Sequence, residues 1–344
     1  MTTYQGRRAA SIENEHLCVT VLEQGGHIAR IFDRETGVNP LWTPPWPSLE
    51  PAAYKPEKHT RTYGAGAEGK LLAGIMGHNL CLDIFGVPSD DEAAAGLTVH
   101  GEGSIVPYKI SVRRNTLVFR AKFPLARIAF ERSMELRDRA VIIRESVENL
   151  TAHDRPIGWT QHVTLGPPFL EKGVTRFRSS ATRSKVFESA FGKHDYLRVG
   201  AEFDWPLAPR ADGGTADLQV MNGAMSSSAF TTHLMDPARE DAFFLAYAPE
   251  KRLVFGYVWK QADFPWMGIW EENRSRTHAP WNRKTLARGM EFGVSPMPET
   301  RRRMIERGSM FGVPAYRWLP AKGRIEVEYR ALTARADTIP ETIG

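Results

Sequence analysis

Short runs of β-forming residues, separated by turns, follow one another along most of the chain and constrain its fold more than any other feature. Residues 116–123 and 128–136 alternate apolar with polar side chains, and the run 140–148 follows across a charged turn. Successive runs of this length are typical of antiparallel sheets. Further strands are predicted over residues 16–22, 27–32, 77–83, 105–112, 241–247, 253–259, 289–294 and 325–332.

Helical periodicity is scarce, and the sequence shows neither internal repeats nor a linker that would separate domains. Residues 298–307 are the best candidate for a helix, and a short one. A chain of 344 residues is long enough to bury a sizeable core. We therefore predict an all-β fold, a large antiparallel β-sandwich that spans residues 1–344 as a single domain.

The stretch from residue 40 to residue 70 breaks the strand pattern. It contains six prolines, two tryptophans and several glycines, and proline cannot donate to a sheet ladder. We predict a long loop that is ordered by Trp42 and Trp46. A loop of this length inside a compact domain is often functional, although packing alone explains it equally well.

The charge balance argues against a nucleic-acid partner. The 45 basic and 40 acidic residues leave a net charge of +5, and the basic residues are scattered. The cluster Arg301 to Arg303 is followed by Glu306 and has no interleaved aromatic residues, so we expect a solvated face. A preference for anionic sugars or phosphosugars stays open, because net charge alone does not decide it.

The absence of long apolar segments predicts a soluble protein without a membrane partner. No run approaches the ~20 apolar residues that span a bilayer, and the polar N-terminus up to Ser11 lacks the features of a secretory signal. Cys18 and Cys81 are the only cysteines and make no disulfide framework. We expect a cytoplasmic location, and the sequence leaves the oligomeric state open.

The sequence lacks the strong motifs for nucleotide, metal or serine-hydrolase chemistry. It has no P-loop, no dinucleotide-binding glycine fingerprint, no Cys-x-x-Cys or His-Glu-x-x-His metal motif and no Gly-x-Ser-x-Gly elbow. A three-histidine metal site made of His78, His100 and His162 has no support from spacing. Two histidines and one carboxylate in strand-forming runs remain as candidates for chemistry.

The first candidate is His162, inside the β-rich run Trp159 to Leu170 that ends in a Gly-Pro-Pro break. Strand alternation predicts that Thr160, His162 and Thr164 share one partly polar face while Gln161 points to the other. Such a histidine is either satisfied in the core or available for proton transfer.

Two further segments carry groups of related chemistry. In residues 289–296, alternation places Glu291 beside Gly293 on one face, where the glycine leaves room for a ligand. His100 lies where glycines end a predicted strand. Taken singly, Glu291 is explained by an exposed edge strand and His100 by a turn cap. Together with His162 they form a candidate acid/base set.

The order of these motifs resembles the aldose 1-epimerase, or galactose mutarotase-like, superfamily. The motifs are His100-Gly101, the strand histidine His162, and the late run Gly-Met-Glu-Phe-Gly-Val-Ser-Pro. The start of the chain is also similar, since a hairpin around Gln24-Gly25-Gly26 precedes Pro40-Leu41-Trp42. The resemblance spans nearly the whole chain. It implies a β-supersandwich of two large, mostly antiparallel sheets with a sugar site on a concave face.

The resemblance also implies a division of roles. Glu291 resembles the general base, His162 the general acid, and His100 a second site histidine that orients the sugar. Interconverting α- and β-anomers removes a proton from the anomeric hydroxyl while the ring oxygen is protonated, and it requires no cofactor. Ordinary pKa values of about 4.3 for glutamate and about 6.5 for histidine suit these roles near neutrality. We expect His162 and Glu291 to face one pocket, about one sugar ring apart.

Sugar binding needs apolar surface for the C–H face of the ring and planar groups that hydrogen-bond its hydroxyls. Trp266 and Trp270 are predicted platforms, with core packing as the equal alternative, and Glu271 is a predicted hydroxyl partner. Gln161 and Asn79 are further candidates for substrate binding.

Two departures from the typical galactose mutarotase pattern affect the expected substrate. His-Gly-Gly is replaced by His100-Gly101-Glu102, and the Gly-Arg-x-x-Asn-Arg run is reduced to Gly77-His78-Asn79-Leu80. The missing arginine argues against galactose. Two alternatives to an epimerase stay open. One is a non-catalytic sugar-binding or regulatory protein, and the other is a sugar lyase or hydrolase with Glu271 as a second carboxylate.

Overall fold

Antiparallel strands dominate the computed structural model, which describes residues 2–343. The strands in chain order are β1 (Thr2–Tyr4), β2 (Arg7–Glu13), β3 (Leu17–Leu22), β4 (Ile28–Asp33), β5 (His78–Asp83), β6 (Lys109–Arg113), β7 (Thr116–Phe123), β8 (Ile128–Arg137), β9 (Ala140–Asn149), β10 (Arg155–Leu165), β11 (Arg176–Ser179), β12 (Ala181–Val186), β13 (Glu202–Asp204), β14 (Leu207–Pro209), β15 (Thr215–Asp217), β16 (Ser227–Met235), β17 (Asp241–Ala248), β18 (Leu253–Lys260), β19 (Trp266–Asn273), β20 (Leu286–Gly293), β21 (Ser309–Met310), β22 (Val313–Pro314), β23 (Arg317–Leu319) and β24 (Arg324–Arg335).

Short helices interrupt the strands. The α-helices are α1 (Pro56–Tyr63), α2 (Gly69–Gly74), α3 (Asp90–Ala94) and α4 (Arg301–Arg307), and single 3-10 turns lie at Pro51–Ala53, Gly66–Glu68 and Pro249–Lys251. The predicted helix over residues 298–307 corresponds to α4. No helix in the described part of the chain is long and apolar enough to cross a membrane.

Two large antiparallel sheets contain most of the strands. The larger has the order β1-β2-β3-β4-β5-β10-β20-β19-β16-β12-β13, with β23 also paired to β10. The smaller has the order β11-β17-β18-β24-β9-β8-β7-β6. Two small hairpins, β14-β15 and β21-β22, complete the strands. The predicted all-β supersandwich of two large, mostly antiparallel sheets is confirmed.

The main apolar core lies between the two sheets. Val163 and Met290 from the larger sheet belong to the same buried cluster as Phe119 and Val147 from the smaller sheet. Because side chains alternate along a strand, these inward residues leave their neighbours His162 and Glu291 on the opposite face of the larger sheet. A site on that face is therefore built on strands that the core holds in place.

A buried polar network crosses this core. Arg132 Nε lies 2.5 Å from Glu145 Oε1, and Tyr329 donates to the same oxygen at 2.6 Å. Gln161 donates to Glu145 Oε2 at 2.6 Å and accepts from Arg132 at 3.1 Å. Buried polar groups are tolerated when they are hydrogen-bonded in this way. The network joins β8, β9 and β24 to β10, the strand that carries His162.

The prediction of a long loop over residues 40–70 is wrong where the segment forms helices. The segment contains α1 and the start of α2, and Pro56 begins α1 at a position where a helix needs no backbone N–H. Trp42 and Trp46 do order the segment, since their rings lie 6.3 and 5.1 Å from the ring of Trp281.

Strands β16 and β19 are absent from the sequence prediction. The serines at the start of β16 indicated a loop, yet every residue of this strand is buried. β16 lies between β12 and β19 inside the larger sheet, and both of its faces are covered. A strand covered on both faces need not alternate apolar with polar residues, so the period-two signal is missing.

Candidate active site

Pairing of β10 with β20 brings His162 and Glu291 together. The two residues are direct cross-strand neighbours in the antiparallel ladder, and alternation turns both away from the main core. His162 Nε2 lies 3.1 Å from Glu291 Oε1, and both side chains are almost fully buried. The expected separation of about one sugar ring is wrong, because directly opposed residues on paired strands are in contact.

The Glu291 carboxylate is held close to the imidazole but is not fully satisfied. Its Oε1 has no hydrogen-bond partner among the described residues, so the 3.1 Å approach of His162 lacks hydrogen-bond alignment. His162 Nδ1 is 3.1 Å from the hydroxyl of Thr164. A Cβ atom at Gly289 would lie 2.4 Å from Glu291 Oε1, so this glycine makes room for the carboxylate. A buried carboxylate oxygen without a donor is well placed to accept from a ligand.

His100 approaches the pair from a turn and not from a strand, which corrects the sequence prediction. Its backbone has φ +69°, and its Nδ1 lies 2.5 Å from the carbonyl oxygen of Phe85. A carbonyl can only accept, so Nδ1 carries the proton and Nε2 is left as an acceptor. The ring centroids of His100 and His162 are 5.0 Å apart.

A cavity of about 180 Å³ opens over these three residues. His100, His162 and Glu291 line it together with aromatic and aliphatic side chains. Pockets for drug-sized ligands measure about 300–1,000 Å³, so this cavity is nearer the size of a single small ring. Two larger grooves, of about 670 and 430 Å³, lie on the outer face of the smaller sheet and contain none of the three residues.

Burial shifts the pKa of each of the three groups in the direction that favours its uncharged form. Burial raises the pKa of Glu291 well above its usual value. It also lowers the pKa of His162 well below the usual value, and the nearby His100 adds to that effect. Burial lowers the pKa of His100 to about 4, against the opposing hydrogen bond to Phe85. Burial therefore favours a protonated carboxyl and a neutral imidazole over the ionised pair that ordinary values predict.

One of the two predicted aromatic platforms lies at the cavity. Trp270 lines it, with its ring centroid 6.0 Å from that of His162. Trp266 lies on the same face of β19 but is fully buried, and its indole N–H donates to the carbonyl of Pro314 at 2.9 Å. Trp266 is therefore a packing residue.

Glu271 and Gln161 point away from the cavity, so the structure contradicts their prediction as sugar ligands. Glu271 follows Trp270 on β19, and adjacent strand residues face opposite sides. Its carboxylate accepts from Ser227 at 2.5 Å inside the sandwich. Gln161 belongs to the polar network of the core. The same alternation that places Trp270 and His162 at the site excludes their neighbours.

Asn79 lies beside the site without lining the cavity. It pairs with His162 across β5 and β10, so it is on the same face of the sheet. Its side-chain amide donates to Ser104 at 3.2 Å, and its Oδ1 has no partner in the described structure. Asn79 is therefore a cross-strand neighbour of His162 and is not one of the residues that line the cavity.

The three histidines of the alternative metal site do not converge. His78 points into the sandwich, where its nitrogens lie 2.9 Å from Tyr257 and 2.9 Å from Gln161, while His100 and His162 face the cavity. Between residues 2 and 343, no group of three or more histidine, cysteine or acidic side chains is arranged to hold a metal ion. Cys18 and Cys81 are both buried and free.

Arg276 and Trp281 line the cavity and were missed by the sequence prediction. The guanidinium of Arg276 lies 4.5 Å from the ring centre of Trp281 and 5.6 Å from that of Trp270. Its Nε is 3.5 Å from Glu272, whose other oxygen accepts from the backbone N–H groups of Ser275 and Arg276. Both residues lie in the connection between β19 and β20, where no motif marks them. The only indication in the sequence is that both residues lie between the predicted platform Trp270 and the predicted strand that carries Glu291.

Glu102, the residue that departs from the His-Gly-Gly pattern, has a structural role. Its carboxylate accepts from the backbone N–H groups of Leu125 and Ala126 at 3.2 and 2.8 Å. These residues belong to the turn between β7 and β8. The departure therefore replaces a glycine with a side chain that anchors a neighbouring turn.

Comparison with known proteins identifies the fold. The sequence matches no family model and no curated protein. The structure is similar to a proposed aldose 1-epimerase from Klebsiella pneumoniae, with a TM-score of 0.69 and 13% identity over 98% of this chain and 82% of that one. It is also similar to a proposed aldose 1-epimerase from Escherichia coli, with a TM-score of 0.62 and 12% identity over 95% and 99% of the two chains.

A third similar structure is a galactose mutarotase related enzyme from Lactobacillus acidophilus. Its TM-score is 0.59 at 12% identity, over 97% of this chain and 100% of that one. At identities this low the likeness establishes the fold alone. This chain therefore has the galactose mutarotase-like β-supersandwich, as the sequence resemblance implied.

Proposed function

We propose that this protein, with its galactose mutarotase-like fold, is a carbohydrate-binding isomerase that interconverts the α- and β-anomers of an aldose. One observation carries the proposal. His162 Nε2 and Glu291 Oε1 lie 3.1 Å apart in one cavity, and that oxygen has no hydrogen-bond partner within residues 2–343. The anomeric hydroxyl of a sugar would supply the missing donor.

The separation of the pair suits proton transfer at a single carbon. Both the anomeric oxygen and the ring oxygen of an aldose are bonded to C1, so two side chains in mutual contact can reach both oxygens. One group accepts the proton of the anomeric hydroxyl while the other protonates the ring oxygen, and the C1–O5 bond breaks. Rotation about C1–C2 and closure with the roles reversed then give the other anomer.

Burial favours the neutral form of both groups, and this bears on the roles of the two residues. Glu291 as base and His162 as acid describe the ionised arrangement of the pair, whereas burial favours the arrangement with the proton on Glu291. The two arrangements have the same net charge and differ only in which residue holds the proton. Each residue therefore acts as acid in one direction of the reaction and as base in the other.

The remaining cavity residues would bind the sugar ring. Trp270 offers an apolar surface for the C–H face, and Arg276, stacked on Trp281, has N–H groups for hydroxyl oxygens. His100 would accept a sugar hydroxyl at Nε2, because Nδ1 is occupied by Phe85. Arg276 would thus take over the hydroxyl contacts that the sequence prediction assigned to Glu271.

Hydrolysis has less support than epimerisation. A glycosidase needs two carboxylates that flank the scissile bond, and Glu271 is on the wrong face of β19. Glu68 is the other carboxylate at the cavity, and a hydrolase would have to use it. Ring opening at C1 needs only the His162 and Glu291 pair.

Anomerisation of freshly dissolved α-aldoses, followed by polarimetry or NMR, tests the proposal. We expect acceleration over buffer with at least one aldose, and we expect Glu291→Gln and His162→Asn each to lower kcat/KM by about 10²–10⁴-fold. Glu271→Gln is the matched control, since it alters a buried carboxylate on the opposite face. Acceleration that persists in both site variants would rule out His162 and Glu291 as the acid/base pair. Sugar-dependent thermal stabilisation without acceleration would instead identify a binding protein.

The domain organisation and the location of the protein are also part of the proposal. We propose that residues 1–344 act as a single domain with a small sugar as its partner, since one buried cluster contains residues from Ala10 to Ala331. We also propose a cytoplasmic location, supported by two cysteines that are buried and unpaired.

A further inference from the structure

An ion-pair cluster around the buried Asp83 lies beside the cavity wall, at the end of β5. The carboxylate of Asp83 accepts from Arg301 at 2.9 and 2.7 Å and from Arg155 at 2.5 Å. Asp83 is only 2% exposed, and its backbone has φ +80°, a conformation that residues other than glycine adopt infrequently. Unusual backbone of this kind persists only where surrounding contacts hold it, and it concentrates near functional sites.

The backbone on either side of Asp83 holds His100 through hydrogen bonds. Leu82 N–H donates to the carbonyl of His100 at 3.3 Å, and His100 N–H donates to the carbonyl of Gly86 at 3.1 Å. The ring of His100 is fixed by Phe85 through the 2.5 Å contact at Nδ1. A Cβ at Gly101 would lie 2.3 Å from the Leu82 carbonyl oxygen, so the two segments touch backbone to backbone. Both of these backbone hydrogen bonds of His100 are therefore to residues within three positions of Asp83.

The same cluster also holds the opposite rim of the cavity. Arg301 begins α4, three residues after the cavity residue Pro298. Gly86 packs so closely on Pro298 that a Cβ there would lie 2.3 Å from its carbonyl carbon. Arg301 Nε also donates to Glu92 of α3 at 2.8 Å. Asp83 thus joins the segments that supply Gly86, His100 and Pro298 to the cavity.

We propose that Asp83, clamped by Arg155 and Arg301, is a positioning residue that fixes the tautomer and orientation of His100. This rests on the proposed function only for its kinetic consequence. With Asp83 in place, the peptide of Phe85 presents its carbonyl to Nδ1 and leaves Nε2 as the acceptor toward the sugar. Without the clamp, the segment after β5 loses its anchor, and Nδ1 loses its fixed acceptor.

The structural consequence is tested by ¹⁵N–¹H NMR of the histidine rings, which reports the tautomer of His100 without any substrate. Asp83→Asn keeps the side-chain shape and the tolerance for positive φ but removes the charge. We expect a single Nδ1–H tautomer of His100 in the wild type and a mixture of tautomers in the variant. Asp33→Asn is the matched control, because Asp33 is also a buried carboxylate at a strand end, paired with Arg139 at 2.8 Å. The control should leave the His100 signals unchanged.

The kinetic consequence is tested with the aldose that the wild type accelerates. We expect Asp83→Asn to lower kcat by up to about 100-fold, as a misplaced catalytic geometry does, and Asp33→Asn to leave kcat unchanged. In a His100→Gln background, adding Asp83→Asn should lower kcat no further, because the residue it positions is gone. Full additivity of the two losses, or an unchanged His100 tautomer in Asp83→Asn, would overturn the proposal.

Two further outcomes separate this proposal from the proposed function. If Asp83→Asn fails to fold, Arg301→Gln replaces it, because this variant leaves Asp83 paired with Arg155. We then expect a smaller change in the His100 tautomer and a smaller loss of kcat. If no aldose is accelerated by the wild type, the proposed function fails, while the tautomer of His100 in the two aspartate variants still decides the positioning role.

Discussion

At the scale of single residues, the site depends on where side chains are missing as well as on where they are present. Gly289 precedes Glu291 on the same face of β20, and the Glu291 carboxylate occupies the space that a larger residue would fill. A Cβ there would meet Oε1 at 2.4 Å and the carboxyl carbon at 3.2 Å. The clash falls on the end of a side chain and not on backbone, so the carboxylate would have to move.

We expect Gly289→Ala to impair catalysis more than folding. The displaced carboxylate would lose its 3.1 Å contact with His162, and kcat should fall by about tenfold or more, while the midpoint of urea unfolding changes little. Gly223→Ala is the control, since a Cβ at Gly223 meets nothing closer than 3.8 Å. An alanine variant with wild-type kcat and reduced stability would show that Gly289 matters for packing alone.

At the scale of secondary-structure elements, β10 connects the site to the core. Its cavity face carries His162, and its inner face carries Gln161, which hydrogen-bonds Glu145 and Arg132. Arg132 is 1% exposed, so removing the charge of Glu145 would leave a buried cation without its partner. The position of His162 is therefore fixed from the opposite side of its own strand.

We expect Glu145→Gln to lower the free energy of unfolding by about 3–5 kcal/mol, the range for breaking a buried ion pair at one end. Urea unfolding with an unchanged m-value is the measurement. Glu131→Gln is the control, because Glu131 pairs with Arg120 on the exposed face of the same sheet, where ion pairs contribute little. Equal effects of the two substitutions would mean that Glu145 contributes no more than a surface charge.

Strand alternation also explains which parts of the site could be predicted from the sequence. His162, Glu291 and Trp270 each lie on the cavity face of a strand, and pairing of the strands brings them together. The prediction that Glu271 binds the sugar is wrong for the same reason, since the residue next to a cavity-facing tryptophan must face inward. Arg276 could not be predicted, because its place depends on the path of a connection between strands and on its stacking against Trp281.

At the scale of the whole molecule, several histidines are buried or, in the case of His100, half-buried. Burial lowers the pKa of His27 and of His233 to about 3 and that of His100 to about 4. Burial likewise lowers the pKa of His78 well below its usual value. His162 is a separate case. Its lowered pKa and the raised pKa of Glu291 change stability with pH in opposite directions, so the two shifts oppose each other.

We therefore expect the protein to lose stability steeply in mild acid. Above about pH 6.5 these histidines are neutral in both states and add no pH dependence. As the pH falls below that value the unfolded chain binds protons that the folded chain cannot, until the pH reaches the folded pKa values of about 3 to 4. Four such histidines give a slope of up to about 5–6 kcal/mol per pH unit near pH 5.

Urea unfolding at pH 7, 6 and 5 measures this slope directly. His233→Gln should reduce it by about one proton's share, roughly 1.4 kcal/mol per pH unit, because the buried imidazole between Ser184 and Thr231 is gone. His153→Gln is the matched control for the loss of a histidine that the fold leaves exposed. A free energy of unfolding that stays level between pH 7 and pH 5 would show that the buried histidines bind protons in the folded state. The fold would then have to open around them without unfolding.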